Sequence, residues 1–164
     1  MRIGQKIKIA RDLHARWADA LRADLAMSRG IEGLCALARE SAQASVHTGL
    51  AQVCRRCDEQ EGGSCCGAGI EERYTPHLLF INLLLGVELP DVRRSKESCH
   101  FLGERGCLLA ARDIICINYL CARLLKEIPK EKLFLLQQTT GREMDALFVL
   151  HDRIRNKIRG LEKE

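Results

Sequence analysis

The chain has 164 residues, 46% of them hydrophobic and 29% charged, which is typical of a single soluble globular domain. Its net charge of +4 comes from 26 basic and 22 acidic residues interleaved along the chain, which argues against a specific nucleic-acid-binding protein. The longest apolar run, residues 78–85, is too short to span a membrane, and no secretory signal is recognisable, so we expect a cytoplasmic protein.

Two amphipathic helices are predicted in the first third of the chain, where apolar residues recur every three or four positions. The first covers residues 3–27, and the second begins after Gly30 and runs to Val53. We expect them to form an antiparallel hairpin that turns at residues 28–30. From Cys54 to Thr75 the periodicity stops among glycines and cysteines, which predicts an irregular loop.

A third helix is predicted to follow this loop. Thr75 can cap its first turn, Pro76 suits its first position, and Gly86 is placed to end it. Its interior, residues 78–85, is apolar nearly all round, so it should be the most buried helix. Another irregular stretch follows at residues 87–110, with a short hairpin around Gly103–Gly106 and a basic cluster at 93–96 that we interpret as a solvated loop.

Two more helices are predicted in the last part of the chain. One runs from about residue 112 to 128, and Pro129 separates it from the final helix, in which Gly141 marks a break or bend. The predicted fold class is therefore all-α. We expect one domain, residues 1–164, with a bundle of about five helices and two cysteine-rich metal-binding loops.

Eight of the nine cysteines occur in two groups within residues 54–121. The members are Cys54, Cys57, Cys65 and Cys66, then Cys99, Cys107, Cys116 and Cys121. In a reducing compartment, clustered thiols favour metal binding over disulfides. Thiolates are soft ligands, and both zinc and iron–sulfur clusters take four of them. We predict these eight as metal ligands, with zinc or an iron–sulfur cluster as cofactor; a protein partner is conceivable, but the sequence does not identify one.

Not every cysteine has the same interpretation. Cys65 and Cys66 are adjacent, so their side chains diverge and could bind different ions. On a regular helix Cys116 and Cys121 are about 140° apart and cannot share one ion unless the first turn is irregular. Cys121 lies on an apolar stripe, so a core role stands beside the ligand role, and Cys35 is predicted to be a core residue.

The histidines are weaker candidates. His100 adjoins Cys99, and His77 lies in the first turn of the third helix, but for both a role outside the ligand set is favoured. The remaining ones are interpreted as surface or hydrogen-bonded core residues: His14, His47 and His151.

The cysteine region resembles a known family. The motif Cys54-x2-Cys57, the sequence GGSCC at 62–66 and the segment from Cys99 through Cys107 to Cys116 look like the YkgJ-type cysteine-cluster proteins, which are described as a zinc- or iron-chelating domain. The resemblance covers about residues 54–121. It implies that the following are chelating positions: Cys54, Cys57, Cys65, Cys66, Cys99, Cys107 and Cys116. In this chain, Asp113 stands where the family usually has proline.

The resemblance also suggests an alternative, because relatives of this cysteine pattern occur in a flagellin lysine methylase. The alternative functions are therefore a cluster-dependent modifying enzyme and a redox-responsive module. The sequence identifies no catalytic residue, and it shows neither a glycine-rich cofactor loop after a strand nor a clear acid/base carboxylate pair.

Overall fold

The computed structural model describes residues 1–61 and 65–162, and it is predominantly helical, which confirms the all-α prediction. Residues 62–64, part of the predicted loop, lie outside this range. The described helices are α1 Ile3–Ala23, α2 Leu25–His47, α3 Leu50–Glu61, α4 Pro76–Leu84, α5 Ile114–Asn118, α6 Ala122–Glu127 and α7 Lys130–Leu161. A 3-10 turn covers Ile70–Arg73, and the predicted hairpin is present as antiparallel strands β1 Leu102–Gly103 and β2 Gly106–Cys107.

The break between α1 and α2 is at Asp24, so the predicted turn at residues 28–30 is wrong. The Asp24 carboxylate accepts hydrogen bonds from the backbone N–H groups of Ala26 (3.0 Å) and Met27 (3.2 Å) and thereby caps α2. Gly30 lies inside α2. A β-carbon there would be 3.0 Å from Leu150 Cδ1, so this glycine permits the close approach of α7 and does not end a helix.

Helix α4 has the predicted boundaries and burial. The Thr75 hydroxyl accepts a hydrogen bond from the Leu78 N–H at 3.2 Å, and Gly86 follows the helix with φ +81°, which favours glycine. Leu79, Phe80 and Ile81 are fully buried. Together with apolar side chains of α1, α2 and α7, α4 forms the main hydrophobic core.

Two predicted boundaries around the cysteines are wrong. Residues 54–61 continue α3, because Arg, Gln and Glu are good helix formers, so Cys54 and Cys57 are helical. The single helix predicted for 112–128 is two short helices, α5 and α6, with Tyr119 in an extended conformation between them. The Ile, Cys and Asn residues that make up α5 are weak helix formers. In contrast, α7 begins after Pro129 as predicted and continues through Gly141 without a break. Seven α-helices, where about five were predicted, therefore occur in residues 1–61 and 65–162.

A second, smaller core lies apart from the first and joins α3, α6 and the start of α7. Its buried members are Val53, Leu124, Ile128 and Leu133. No helix among the described residues has the length and apolar character needed to cross a membrane.

Between α2 and α7 lies a buried polar pair, Ser41 and Glu143, both with no exposed surface. Burial raises the pKa of the Glu143 carboxyl, and the nearby Ser41 hydroxyl and the Arg112 charge offset this only in part. In the described part of the chain, neither the carboxylate oxygens nor the Ser41 hydroxyl has a partner in good hydrogen-bond geometry. Ionisation of Glu143 therefore opposes folding.

Candidate metal centre

The two cysteine groups meet through backbone hydrogen bonds. The Cys99 N–H donates to the Cys66 carbonyl at 2.6 Å, and the Ala68 N–H donates to the Glu97 carbonyl at 2.8 Å. Between these bonds, Gly67 and Ser98 form an antiparallel bridge. Cysteines 33 positions apart in the sequence are thus held side by side.

The β1–β2 hairpin connects Cys107 to Cys99. The Leu102 N–H donates to the Cys99 carbonyl at 3.1 Å, and Leu102 pairs with Cys107 across the two strands. Gly106, with φ +117°, allows the tight turn. The predicted hairpin therefore links Cys99 to Cys107 by a short and defined path.

Asn82 of α4 anchors the segment between Cys107 and Cys116. Its side chain donates to the Ala111 carbonyl at 2.8 Å and accepts from the Ala111 N–H at 3.0 Å. Asn82 and Ala111 are both fully buried. Sequence analysis missed this role, although a single amide in an otherwise apolar helix was a signal for it.

Tyr74, which sequence analysis also missed, connects the core to Cys116. The phenol is 1% exposed, and its ring packs edge-to-face on Phe101 at 5.2 Å. Burial raises the pKa of the Cys116 thiol, and the Tyr74 hydroxyl offsets this in part. Burial and then the charges of Cys107 and Cys116 raise the pKa of Tyr74, so it stays a hydroxyl that can donate to sulfur.

Asp113 fixes the start of the helix that carries Cys116. Its carboxylate accepts from the Ile115 N–H at 3.1 Å and caps α5, and it forms an ion pair with Arg73 at 3.2 Å. The helix that carries Cys116 is therefore capped by Asp113 and joined through Arg73 to the segment 70–73.

Cys54 and Cys57 are on α3, and Cys121 packs against the small core to which α3 contributes Val53. A spacing of three places two side chains on one face of a helix. Val53 is in the small core, and Cys121, which precedes the first residue of α6, packs against that same core. An ion pair between Arg56 and Glu127 also joins α3 to α6. The structure thus gives Cys121 both a core contact and a position near other thiols.

Burial and the charges of other thiols raise the pKa values of several cysteines. Burial and then the negative charges of Cys107, Cys99, Cys116 and, last, Cys54 raise the pKa of Cys66 to about 12. Burial raises the pKa of Cys99 to about 11, with further contributions from Cys107 and Cys116. Thiols with such pKa values are protonated at neutral pH.

A different set of neighbours surrounds Cys54 and Cys65. Burial and then Cys121, Cys65 and Cys57 raise the pKa of Cys54. Burial and then Cys121 and Cys57 raise the pKa of Cys65, and Cys116 makes a smaller contribution. Cys35 of α2 is half-buried and is not among the main causes of any of these shifts.

Exposure of the whole residue and the environment of its sulfur differ at this site. Cys66 and Cys107 are exposed as residues, but desolvation of the thiol is the largest cause of each raised pKa. The sulfur atoms, which would bind a metal, are therefore more shielded from solvent than the residues as a whole. Cys99 is buried, and Cys57, Cys116 and Cys121 are half-buried.

The donor chemistry fits zinc or an iron–sulfur cluster, but the side chains do not form a closed cage. Among residues 1–61 and 65–162, no three Cys, His, Asp or Glu side chains stand close enough together to hold a metal ion. Changing a cysteine from one staggered rotamer to another moves its sulfur by about 3 Å, so rotation can bring neighbouring thiols together.

A partly buried ion pair strengthens the contact between the cysteine segments. Glu71 is 1% exposed, accepts from the Gly69 N–H at 2.8 Å and pairs with Arg93. Burial alone would raise the pKa of Glu71, but backbone hydrogen bonds and Arg93 outweigh it and lower that pKa. The interpretation of residues 93–96 as a solvated loop is therefore wrong for Arg93, although Arg94 and Lys96 are exposed.

The histidines do not add ligands to the described site. His100 is buried and donates from Nε2 to the Pro90 carbonyl at 2.9 Å. His77 and His151 pack against each other edge-to-face at 6.0 Å, and His47 is exposed, as predicted. The expected hydrogen-bonded core role is wrong for His14, whose Nε2 is buried with no hydrogen-bond partner among the described residues.

Comparison of the chain with known families, with curated proteins and with solved structures found no match in any of the three.

Proposed function

We propose that this protein binds zinc or an iron–sulfur cluster through its clustered cysteine thiolates. The observation that carries the proposal is the pairing of residues 66–68 with 97–99, because it puts cysteines from two distant segments next to each other. Such grouped thiols raise one another's pKa and are stabilised as thiolates when they share a cation.

The surroundings support a site that contributes to folding. Asn82 connects the segment between Cys107 and Cys116 to α4, and the Glu71–Arg93 pair joins the two cysteine segments to each other. Groups that orient metal ligands in this way commonly strengthen metal binding. Metal bound here would stabilise the folded state, since the unfolded chain has no arranged site.

The alternatives have less support. In a redox-responsive module the thiols should oxidise readily, and the exposed Cys54, Cys65, Cys66 and Cys107 are accessible. Their raised pKa values, however, reduce the thiolate fraction on which oxidation depends. For a modifying enzyme, no catalytic group is assigned, and we keep it only as the proposal implied by the family resemblance.

The test is to purify the full chain without chelator and measure zinc, iron and acid-labile sulfide per chain. A colourless protein with zinc, or a brown protein with iron and sulfide, would support the proposal and identify the cofactor. A folded protein that contains neither metal, and takes up no zinc after its thiols are reduced, would refute it. The Cys35→Ser variant is the matched control, because Cys35 lies outside both groups and its loss should leave the metal content unchanged.

A further inference from the structure

The outer face of α7, within residues 130–153, points away from the core and carries exposed apolar side chains in two pairs. Phe134 and Leu135 form the first pair, and Phe148 and Val149 form the second, about four turns later. Phe134 is 60% exposed and Phe148 is 77% exposed, although phenylalanine is usually among the buried residues. An exposed apolar face of this kind commonly marks an interaction site.

Gly141 lies midway between the two phenylalanines on this face. Residues seven apart on a helix have nearly the same angular position, so Phe134, Gly141 and Phe148 form one line along α7. Glycine is unfavourable inside a helix. A β-carbon at Gly141 would meet no atom within 4 Å in the described chain, unlike one at Gly30, so packing inside the chain does not explain this glycine. A second helix that crosses α7 closely at Gly141 does explain it.

The outer face is complementary to itself when a second copy of α7 lies antiparallel across it. With the twofold axis close to Gly141, Phe134 lies opposite Phe148 of the partner subunit. On the other flank of the helix, Leu135 lies opposite Val149 of the partner subunit. In a twofold dimer each contact occurs twice, so the two apolar pairs of one chain cover those of the other.

The charges beyond the apolar pairs fit the same antiparallel arrangement. Lys130 lies opposite Asp152 of the partner subunit, and both positions are exposed. On the other flank, Glu131 lies opposite Arg153 of the partner subunit, and these positions are also exposed. A parallel copy would instead put each charge beside an identical one, which is unfavourable. Opposite charges therefore meet at both ends of the face only in the antiparallel pair.

The polar residues near the axis are compatible with this arrangement. Gln138 lies opposite Asp145 of the partner subunit, and an amide can donate a hydrogen bond to a carboxylate. Arg142, which would otherwise meet its own copy, forms an ion pair with Glu40 of α2 at 2.9 Å. The charge of Arg142 is thus offset within its own chain.

We infer that the outer face of α7 is the interface of a symmetric homodimer in which the two α7 helices pack antiparallel. At their observed exposure, the four phenylalanines of the dimer would bury roughly 500 Å². With the leucine, valine and charged residues the interface reaches roughly 1,000 Å², the lower end for a specific interface. We therefore expect a dissociation constant on the order of micromolar.

The first test is sedimentation equilibrium of the full chain with its thiols kept reduced, so that disulfides between chains are excluded. At about 100 μM we expect twice the 18.5 kDa mass of one chain, with dissociation on dilution. A protein that stays monomeric at this concentration would overturn the inference.

The second test replaces an apolar residue of the outer face. Phe148→Glu should weaken dimerisation at least a hundredfold (roughly), because the change occurs twice in the dimer and places a carboxylate against Phe134 of the partner subunit. The matched control is Val92→Glu, which adds the same charge at a position outside α7 that is 79% exposed, and it should dimerise normally. Circular dichroism checks that both variants are folded. A dimer that persists unchanged in Phe148→Glu would place the interface elsewhere and contradict the inference.

The third test is a charge exchange that depends on the antiparallel register. Asp152→Lys should weaken dimerisation about tenfold, because it places a positive charge opposite Lys130 of the partner subunit. Adding Lys130→Asp to the same chain should restore it. Within one chain these two positions are about 33 Å apart along α7, so restoration requires contact between chains. Failure of the second substitution to restore dimerisation would refute the antiparallel pairing.

Discussion

Replacing Asn82 with leucine should destabilise the protein strongly, because the change leaves buried backbone groups without partners. Leucine has nearly the shape of asparagine, so packing in α4 changes little. It cannot replace the two hydrogen bonds that join Asn82 to the N–H and carbonyl groups of Ala111, at 3.0 and 2.8 Å. Ala111 has no exposed surface, so water cannot take over these bonds.

The expected loss in the free energy of unfolding follows from the number of buried backbone groups left without a hydrogen-bond partner. Each buried backbone group without a partner costs about 1–3 kcal/mol, so two of them cost about 4 kcal/mol. The third bond of Asn82, to the Leu78 carbonyl at 3.0 Å, adds little because that carbonyl is also the helical acceptor. We therefore expect Asn82→Leu to lower the free energy of unfolding by about 4 kcal/mol.

Urea unfolding at neutral pH, followed by circular dichroism, measures this change. The control is Asn156→Leu, because Asn156 is exposed on α7 and bonds only to the Asp152 side chain at 3.1 Å among the contacts described. The control should change the free energy by about 0.5 kcal/mol or less. If Asn82→Leu costs no more than the control, the anchoring role assigned to Asn82 is wrong.

Three further predictions concern the site and its surroundings. Tyr74→Phe keeps the ring contact with Phe101 but removes the hydroxyl, which lowers the pKa of the Cys116 thiol and so favours its thiolate; it should weaken zinc retention against a chelator about tenfold, and unchanged retention would contradict that role. Because the pKa values of Cys66 (about 12) and Cys99 (about 11) are high, zinc must displace protons; affinity should rise with pH, with on the order of four protons released per ion in a pH-indicator titration, and a flat profile from about pH 6 to 8 would count against it. The folded-state pKa of Glu143 lies above its ordinary 4.5, so the stability linked to its protonation is complete below that value and is lost as pH rises through the folded value. Glu143→Gln should therefore be more stable than the original chain at neutral pH and lose that advantage in acid, as measured by urea unfolding at both pH values; equal gains at both would be inconsistent with this ionisation.

Local chemistry along the chain was enough to predict much of the fold. Apolar residues at helical spacing indicated an all-α protein, and Thr75, Pro76 and Gly86 indicated the limits of α4, because caps and backbone restrictions act within a few residues. The hairpin before Cys107 was predicted for the same reason. The grouping of eight cysteines also identified the candidate site.

Other features depend on contacts between distant segments, and the sequence pattern carries no direct record of them. Gly30 is a breaker by local rules, yet it lies inside α2 where α7 packs closely. From the sequence Arg93 resembles an exposed charge, but in the structure it pairs with the buried Glu71. The contact between the two cysteine segments is of this kind, since it depends on the hydrogen bond from the Cys99 N–H to the Cys66 carbonyl. Periodicity tells which face of a helix is apolar, but only tertiary packing decides which face it meets.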